Sequence, residues 1–99
     1  MYEFDRKFYE RLAGAIVADL DNIYYFSGSE TLACDDGTEC RFTASLLIYR
    51  RAIADRLADT DDIEDVVPVW WECRTFAATG EEVLNDFDFA LLREAMAAL

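Results

Sequence analysis

Histidine is absent from the sequence, and this absence removes the commonest general base and the commonest metal ligand among the side chains. Serine–histidine triads, cysteine–histidine dyads and histidine-containing zinc sites are therefore excluded. The three cysteines, Cys34, Cys40 and Cys73, have no C-x-x-C spacing, so a zinc site made only of cysteines is not expected either. We accordingly predict that the protein holds no metal and no cofactor.

Glycine and long apolar runs are also scarce. The four glycines stand singly at positions 14, 28, 37 and 80, which excludes a glycine-rich phosphate-binding loop. No apolar run approaches the roughly 18 residues of a membrane-spanning helix, and the amphipathic stretch MYEFDRKFYERL lacks the apolar core of a signal peptide. An odd number of cysteines suits a reducing compartment, so we predict a cytoplasmic protein with free thiols.

Basic side chains are few, with nine against 21 acidic ones, which gives a formal charge of −12. The cationic patches that bind nucleic-acid phosphates or anionic membranes are therefore not expected. We predict no direct nucleic-acid partner and no membrane partner. The skew towards aspartate and alanine is equally compatible with genomic or environmental bias, so the charge alone does not identify a cationic partner.

The strongest pattern that the sequence does contain is a β-hairpin over residues 22–51. Two β-rich runs flank Asp35-Asp36-Gly37, and Asp-Gly between such runs is a strong hairpin signal because glycine accepts positive φ. An odd-length turn of three or five residues places the apolar side chains on one face, and a turn over 35–39 would pair Cys34 with Cys40. The residues gathered on that face are Tyr24, Phe26, Leu32, Cys34, Cys40, Phe42, Ala44, Leu46 and Ile48.

The rest of the chain shows apolar spacings typical of helices and strands. An amphipathic helix is predicted over residues 3–20, and a C-terminal helix capped by Asp88 carries the apolar stripe Phe89, Leu92, Met96 and Leu99. A third strand over 66–76 is expected to turn Val67, Val69, Trp71 and Cys73 towards the core. Residues 82–84 suggest a short fourth strand, and residues 51–59 fit either a short helix or a longer second strand.

These elements predict a single α+β domain over residues 1–99. Its expected architecture is a two-layer sandwich, in which the N- and C-terminal helices pack on one face of an antiparallel sheet of three to four strands. With 54% hydrophobic and 14% aromatic residues, the chain has enough apolar surface for a core without a disulfide or metal.

Aromatic and arginine side chains on the opposite sheet face form the candidate site. The candidate interface residues are Tyr25, Tyr49, Trp70, Arg74 and Phe76. Such residue types are enriched at protein interfaces, whereas the charge of −12 argues against a platform for single-stranded nucleic acid. We therefore predict a non-catalytic protein-interaction module that uses the open sheet face, in a homodimer or a hetero-complex.

Two alternatives remain open from the residues alone. The first is an acidic antagonist, either a DNA mimic or an immunity-type inhibitor, that presents its carboxylates to a basic partner. The second is a small enzyme that depends on carboxylates, with Glu30 and Glu72 as candidates because each lies in an apolar strand context. The acidic run at 59–65 lacks the glycine and glutamate of a calcium-binding EF-hand, which favours a solvated loop.

Overall fold

The computed structural model describes residues 1–20, 22, 24–34, 37–50 and 63–99. The elements in chain order are α1 (Arg6–Ala18), β1 (Tyr25–Ala33), β2 (Glu39–Arg50), β3 (Ile63–Phe76), β4 (Glu82–Val83) and α2 (Phe89–Ala97). The strands form one antiparallel sheet in the order β1-β2-β3-β4. Both helices pack on one face of it, which confirms the two-layer α+β prediction. The helix considered for 51–59 lies outside the described residues.

Helix α1 begins at a capped residue and buries one apolar stripe. The side chain of Asp5 accepts a hydrogen bond from the Phe8 N–H at 2.9 Å, which satisfies one of the free donors of the first turn. At the other end, the N–H of Asp19 donates to the carbonyls of the last turn. The stripe that packs against the sheet consists of Phe8, Tyr9, Leu12, Ala13 and Ile16. The caps make the helix shorter at both ends than the predicted 3–20.

Helix α2 begins where the sequence predicts. The carboxylate of Asp88 accepts from the Ala90 N–H at 3.0 Å, and Leu92 and Met96 are completely buried. Leu99 lies beyond the last helical residue and is half-exposed, so it does not join the predicted apolar stripe.

The β1–β2 hairpin has a three-residue turn. The Cys34 N–H donates to the Thr38 carbonyl at 2.7 Å, and Gly37 has φ of +81°. In the observed register Leu32 pairs with Cys40. The predicted pairing of Cys34 with Cys40 is therefore wrong by two residues. A shift of two residues leaves every side chain on the same face, so the predicted buried face of the hairpin is confirmed for Phe26, Phe42 and its other central residues.

Strand β3 contains a bulge that the sequence analysis missed. Ser45 pairs with Trp70, whereas Leu46 pairs with Pro68, so Val69 is an extra residue without a partner. The bulge changes which side chains face the core on its N-terminal side. Val66 is buried, whereas Val67 and Val69 are 38% and 63% exposed, so the prediction that the latter two join the core is wrong. Trp71 lies on the helix side of the sheet but is 39% exposed, so it is only partly covered. Pro68 explains the position of the bulge, because proline has no N–H for the ladder.

Candidate interaction site on the outer sheet face

The candidate site is the sheet face that points away from α1 and α2, here called the outer face. It is formed by alternate residues of the strands, and along β2 exposed or half-buried side chains alternate with fully buried ones. All five predicted interface residues lie on it. Its members are Tyr25, Ser27, Ser29, Thr31, Glu39, Arg41, Thr43, Ser45, Leu47, Tyr49, Val67, Trp70, Glu72, Arg74, Phe76 and Glu82.

One half of the outer face is an apolar cluster, here called the aromatic patch and consisting of Tyr25, Leu47, Tyr49, Val67 and Trp70. The register brings the cluster together, because Leu47 pairs with Tyr25 on one side and with Val67 on the other. Trp70 and Tyr49 are each 50% exposed and Leu47 is 39% exposed. The predicted register with Cys34 opposite Cys40 would also pair Tyr25 with Tyr49. That pairing is wrong, because the two-residue difference in register makes the two tyrosines diagonal neighbours.

The other half of the outer face is polar and internally paired. Arg41 and Arg74 stand directly opposite each other in the β2–β3 register. Their guanidinium carbons lie 4.6 and 5.3 Å from the centroid of the Phe76 ring, which is within cation–π range. The Arg41 Nε donates to Glu39 at 2.9 Å, and Arg74 binds Glu82 through two hydrogen bonds of 2.7 and 3.2 Å. These bonds allow two arginines to face each other.

The ion pairs change the acidity of the groups that form them. The hydrogen bond from Arg74 holds the pKa of the Glu82 carboxyl below its ordinary value, and the same bond raises the pKa of Arg74. Both groups are therefore charged at neutral pH. Because both are exposed, this pair fixes the arrangement of side chains more than it stabilises the fold.

The outer face is nearly neutral, unlike the molecule as a whole. Among the described residues, its two arginines stand against Glu39, Glu72 and Glu82, and the charge of Asp65 is balanced by Arg93, which leaves the face one unit negative, whereas the whole chain carries −12. Asp65, which pairs with Tyr49 in the register, is bound by Arg93 of α2 at 2.9 to 3.1 Å.

The two candidate catalytic carboxylates are not brought together. Glu72 is exposed on the outer face, 3.9 Å from Arg74, whereas Glu30 lies on the core side of β1 and is 8% exposed. Burial, a hydrogen bond with the Asp19 carboxyl and the charge of Asp19 together raise the pKa of Glu30 to about 7, and burial is the largest of the three causes. The two candidates therefore lie on opposite faces of the sheet, and the carboxyl group beside Glu30 is that of Asp19.

The described part of the chain contains no candidate metal site and no membrane-spanning helix. Among residues 1–20, 22, 24–34, 37–50 and 63–99, no three cysteine, aspartate or glutamate side chains are grouped so that they could hold a metal ion. Neither of the two described helices is long and apolar enough to cross a membrane.

Comparison of the chain with protein-family models, with curated proteins and with solved structures found no match.

Two contacts between distant residues were missed by the sequence analysis. The thiols of Cys40 and Cys73 lie 3.5 Å apart on the core side, although Cys34 was the predicted neighbour of Cys40. None of the three cysteines, all of which lie in the described part of the chain, forms a disulfide. The Glu30–Asp19 carboxyl pair joins β1 to the end of α1. Both contacts depend on how β3 and α1 pack against the hairpin, and neither has a local sequence signal.

Proposed function

We propose that this protein is a non-catalytic interaction module and that the outer face binds a second copy of the chain. The observation that carries the proposal is the aromatic patch, a contiguous apolar cluster exposed on a nearly neutral face of a strongly acidic molecule. Contiguous exposed apolar surface of this kind typically marks an interaction site. Tyr25, Tyr49 and Trp70 are proposed as its central contacts, with Arg74 and Phe76 towards the edge.

The outer face is large enough for a specific dimer. Strand β2, with 12 residues, is flanked by β1 and β3. At a rise of about 3.3 Å per residue and a strand spacing of about 4.8 Å, three strands of this length cover about 600 Å². Two copies packed face to face would bury about 1,200 Å² in total, which is the lower end of the range for specific interfaces. The sheets would pack about 10 Å apart, as in a β-sandwich.

The charge distribution also favours a second copy over a basic partner at this face. A basic protein would gain little from contacts with a face that is one unit negative. Two copies repel each other through the acidic groups on the rest of the surface, and salt screens this repulsion. We therefore expect salt to strengthen self-association, whereas it would weaken the binding of a basic protein by an acidic antagonist. The predicted cytoplasmic location belongs to this proposal, because free thiols persist in a reducing compartment.

Sedimentation equilibrium of the wild-type chain and two variants tests the proposal. The variant Trp70→Glu places a charge in the aromatic patch, and Leu84→Glu makes a comparable change at a residue that is 81% exposed and lies beyond the end of β4, outside the aromatic patch. We expect the wild type and Leu84→Glu to dimerise below about 200 µM, and Trp70→Glu to remain monomeric over the same range. A monomeric wild type, or a dimeric Trp70→Glu variant, contradicts the proposal.

A further inference from the structure

A second surface, independent of the outer face, lies in the helical layer. A groove of about 640 Å³ runs between the start of α1 and the end of α2. Phe4, Tyr9 and Ala95 contribute to its apolar lining, together with Leu91 and Leu99, which are 42% and 50% exposed. The groove is therefore apolar and open to solvent.

The aromatic side chains of the groove are held in place by contacts with other residues of the same chain. The ring of Phe4 stacks on Phe8 with centroids 3.9 Å apart, and the Phe4 N–H donates to the Asp86 carboxylate at 2.9 Å. The hydroxyl of Tyr9 accepts a hydrogen bond from the Asp88 N–H at 3.1 Å. A preformed surface of this kind loses little conformational freedom when it binds.

The dimensions of the groove suit an α-helix. Its α2 side is formed by Leu91 and Ala95, which lie one turn apart on the helix, and by Leu99 just beyond the last helical residue. At a rise of 1.5 Å per residue, Leu91 and Ala95 lie about 6 Å apart along the axis of α2, and Leu99 extends the groove past the end of the helix. A partner helix would place two or three apolar side chains along this length, as in other complexes where a helix binds in a groove.

The charges around the groove are predominantly negative. Asp5, Glu10 and Glu94 border it, and the one basic residue in its lining, Arg6, is 3.4 Å from Glu10 and partly neutralised by it. Flanking carboxylates favour a partner that has lysine or arginine beside its apolar side chains. The charge of −12 on the whole chain would also accelerate the approach of a cationic partner.

We propose that the groove between α1 and α2 binds a basic amphipathic helix of another protein. The apolar side chains of that helix occupy the space between Tyr9, Leu91 and Ala95. Its basic side chains lie against the carboxylates of Glu10 and Glu94. Because the groove and the outer face lie on opposite sides of the molecule, either proposal can fail without the other.

The test uses the full chain and two synthetic peptides of about 16 residues, which form roughly four helical turns. Both peptides carry leucines at positions i, i+4 and i+7, separated in part by alanines. The other positions hold lysine in one peptide and glutamate in the other. Calorimetric titration in 0.15 M salt is expected to show binding of the lysine peptide, with the glutamate peptide at least about tenfold weaker.

Two pairs of variants distinguish binding in the groove from general attraction to an acidic protein. Leu91→Asp and Glu94→Lys change exposed groove residues, whereas Leu84→Asp and Glu81→Lys make the same chemical changes at exposed positions elsewhere. We expect the groove variants to weaken the lysine peptide at least about tenfold and the controls to change it less than about twofold. Circular dichroism establishes that each variant is folded.

Three outcomes overturn the proposal. The first is equal affinity for the lysine and glutamate peptides, which would show that the carboxylates do not select the partner. The second is wild-type affinity in Leu91→Asp, which would place the peptide outside the groove. The third is the absence of any binding by the wild-type chain.

Discussion

Replacement of Glu30 by glutamine probes the buried carboxyl pair that joins the sheet to α1. Glu30 is 8% exposed, and burial together with the neighbouring Asp19 carboxyl raises its pKa to about 7 from an ordinary value of 4.5. In the unfolded chain the same carboxyl would titrate at its ordinary value. Between these two values the folded protein therefore holds a proton that the unfolded chain has lost.

This difference fixes the sign of the pH dependence. Because the folded state binds more protons in this range, the free energy of unfolding falls as the pH rises from about 4.5 to about 7. The stabilisation is complete below the lower value and is lost above the upper one. The difference between these two pKa values corresponds to at most about 3.5 kcal/mol for the group, at about 1.4 kcal/mol per pH unit.

The variant Glu30→Gln keeps the shape of the side chain and a donor for the Asp19 carboxylate but cannot ionise. We expect it to match the wild type at pH 5 and to be more stable by roughly 2 to 3 kcal/mol at pH 8, because the wild type must then bury a charge or release the side chain. Urea unfolding followed by tryptophan fluorescence at pH 5, 6, 7 and 8, at constant ionic strength, measures this difference.

The control variant for this measurement is Glu81→Gln, which removes the same charge from an exposed turn. It accounts for the general benefit of lowering the net charge of an acidic protein, and we expect its stability to follow the wild-type pH dependence. If Glu30→Gln follows the wild-type curve as well, or is less stable than the wild type at pH 8, the reasoning about the buried carboxyl pair is refuted.

Two further substitutions test the packing. Gly14 is exposed within α1 and a Cβ there would meet nothing within 4 Å, so Gly14→Ala should stabilise the protein by about 0.5 to 1 kcal/mol, seen as a higher urea midpoint. Trp71 lies 5.1 and 5.9 Å from the rings of Phe87 and Phe89, whereas Trp70 lies on the outer face. Trp71→Ala should therefore destabilise the monomer by about 1 to 2 kcal/mol more than Trp70→Ala, and equal losses would contradict this assignment.

The fold class could be predicted because each element carries its own periodic signal. Alternation along β2 and helical spacing in α1 assign one apolar face to each element, and the only compact arrangement of such faces is two layers. The caps at Asp5 and Asp88 lie next to the apolar stripes. The two faces of the hairpin could be predicted because a register shift of one residue would turn the apolar side chains of a strand towards solvent.

The register itself could not be predicted from the same signal. A slip of two residues leaves both faces of the hairpin unchanged, so the alternation does not distinguish Leu32 opposite Cys40 from Cys34 opposite Cys40. That choice depends on the turn and on the packing of β3 against β2. The bulge at Val69 likewise breaks the alternation within β3, and the only local indication of it is Pro68.

The candidate site, like the hairpin, could be predicted only in part. Its five residues share one face because their positions follow strand alternation, and Trp70 remains with Tyr25 and Tyr49 because it lies on the C-terminal side of Val69. The ion pair of Arg74 with Glu82, by contrast, depends on how β4 lies beside β3. The groove between α1 and α2 arises from helix placement and has no signal in either helix alone.

The salt dependence of self-association is the sharpest test of the proposed dimer through the outer face. Sedimentation equilibrium of the wild-type chain at about 0.05 and 0.5 M sodium chloride spans Debye lengths of roughly 14 to 4 Å. We predict a dimer whose dissociation constant falls as salt increases, because an apolar and nearly neutral face forms the contact while the remaining acidic surface repels. A chain that stays monomeric at both salt concentrations, or a dimer that weakens as salt increases, would contradict the account.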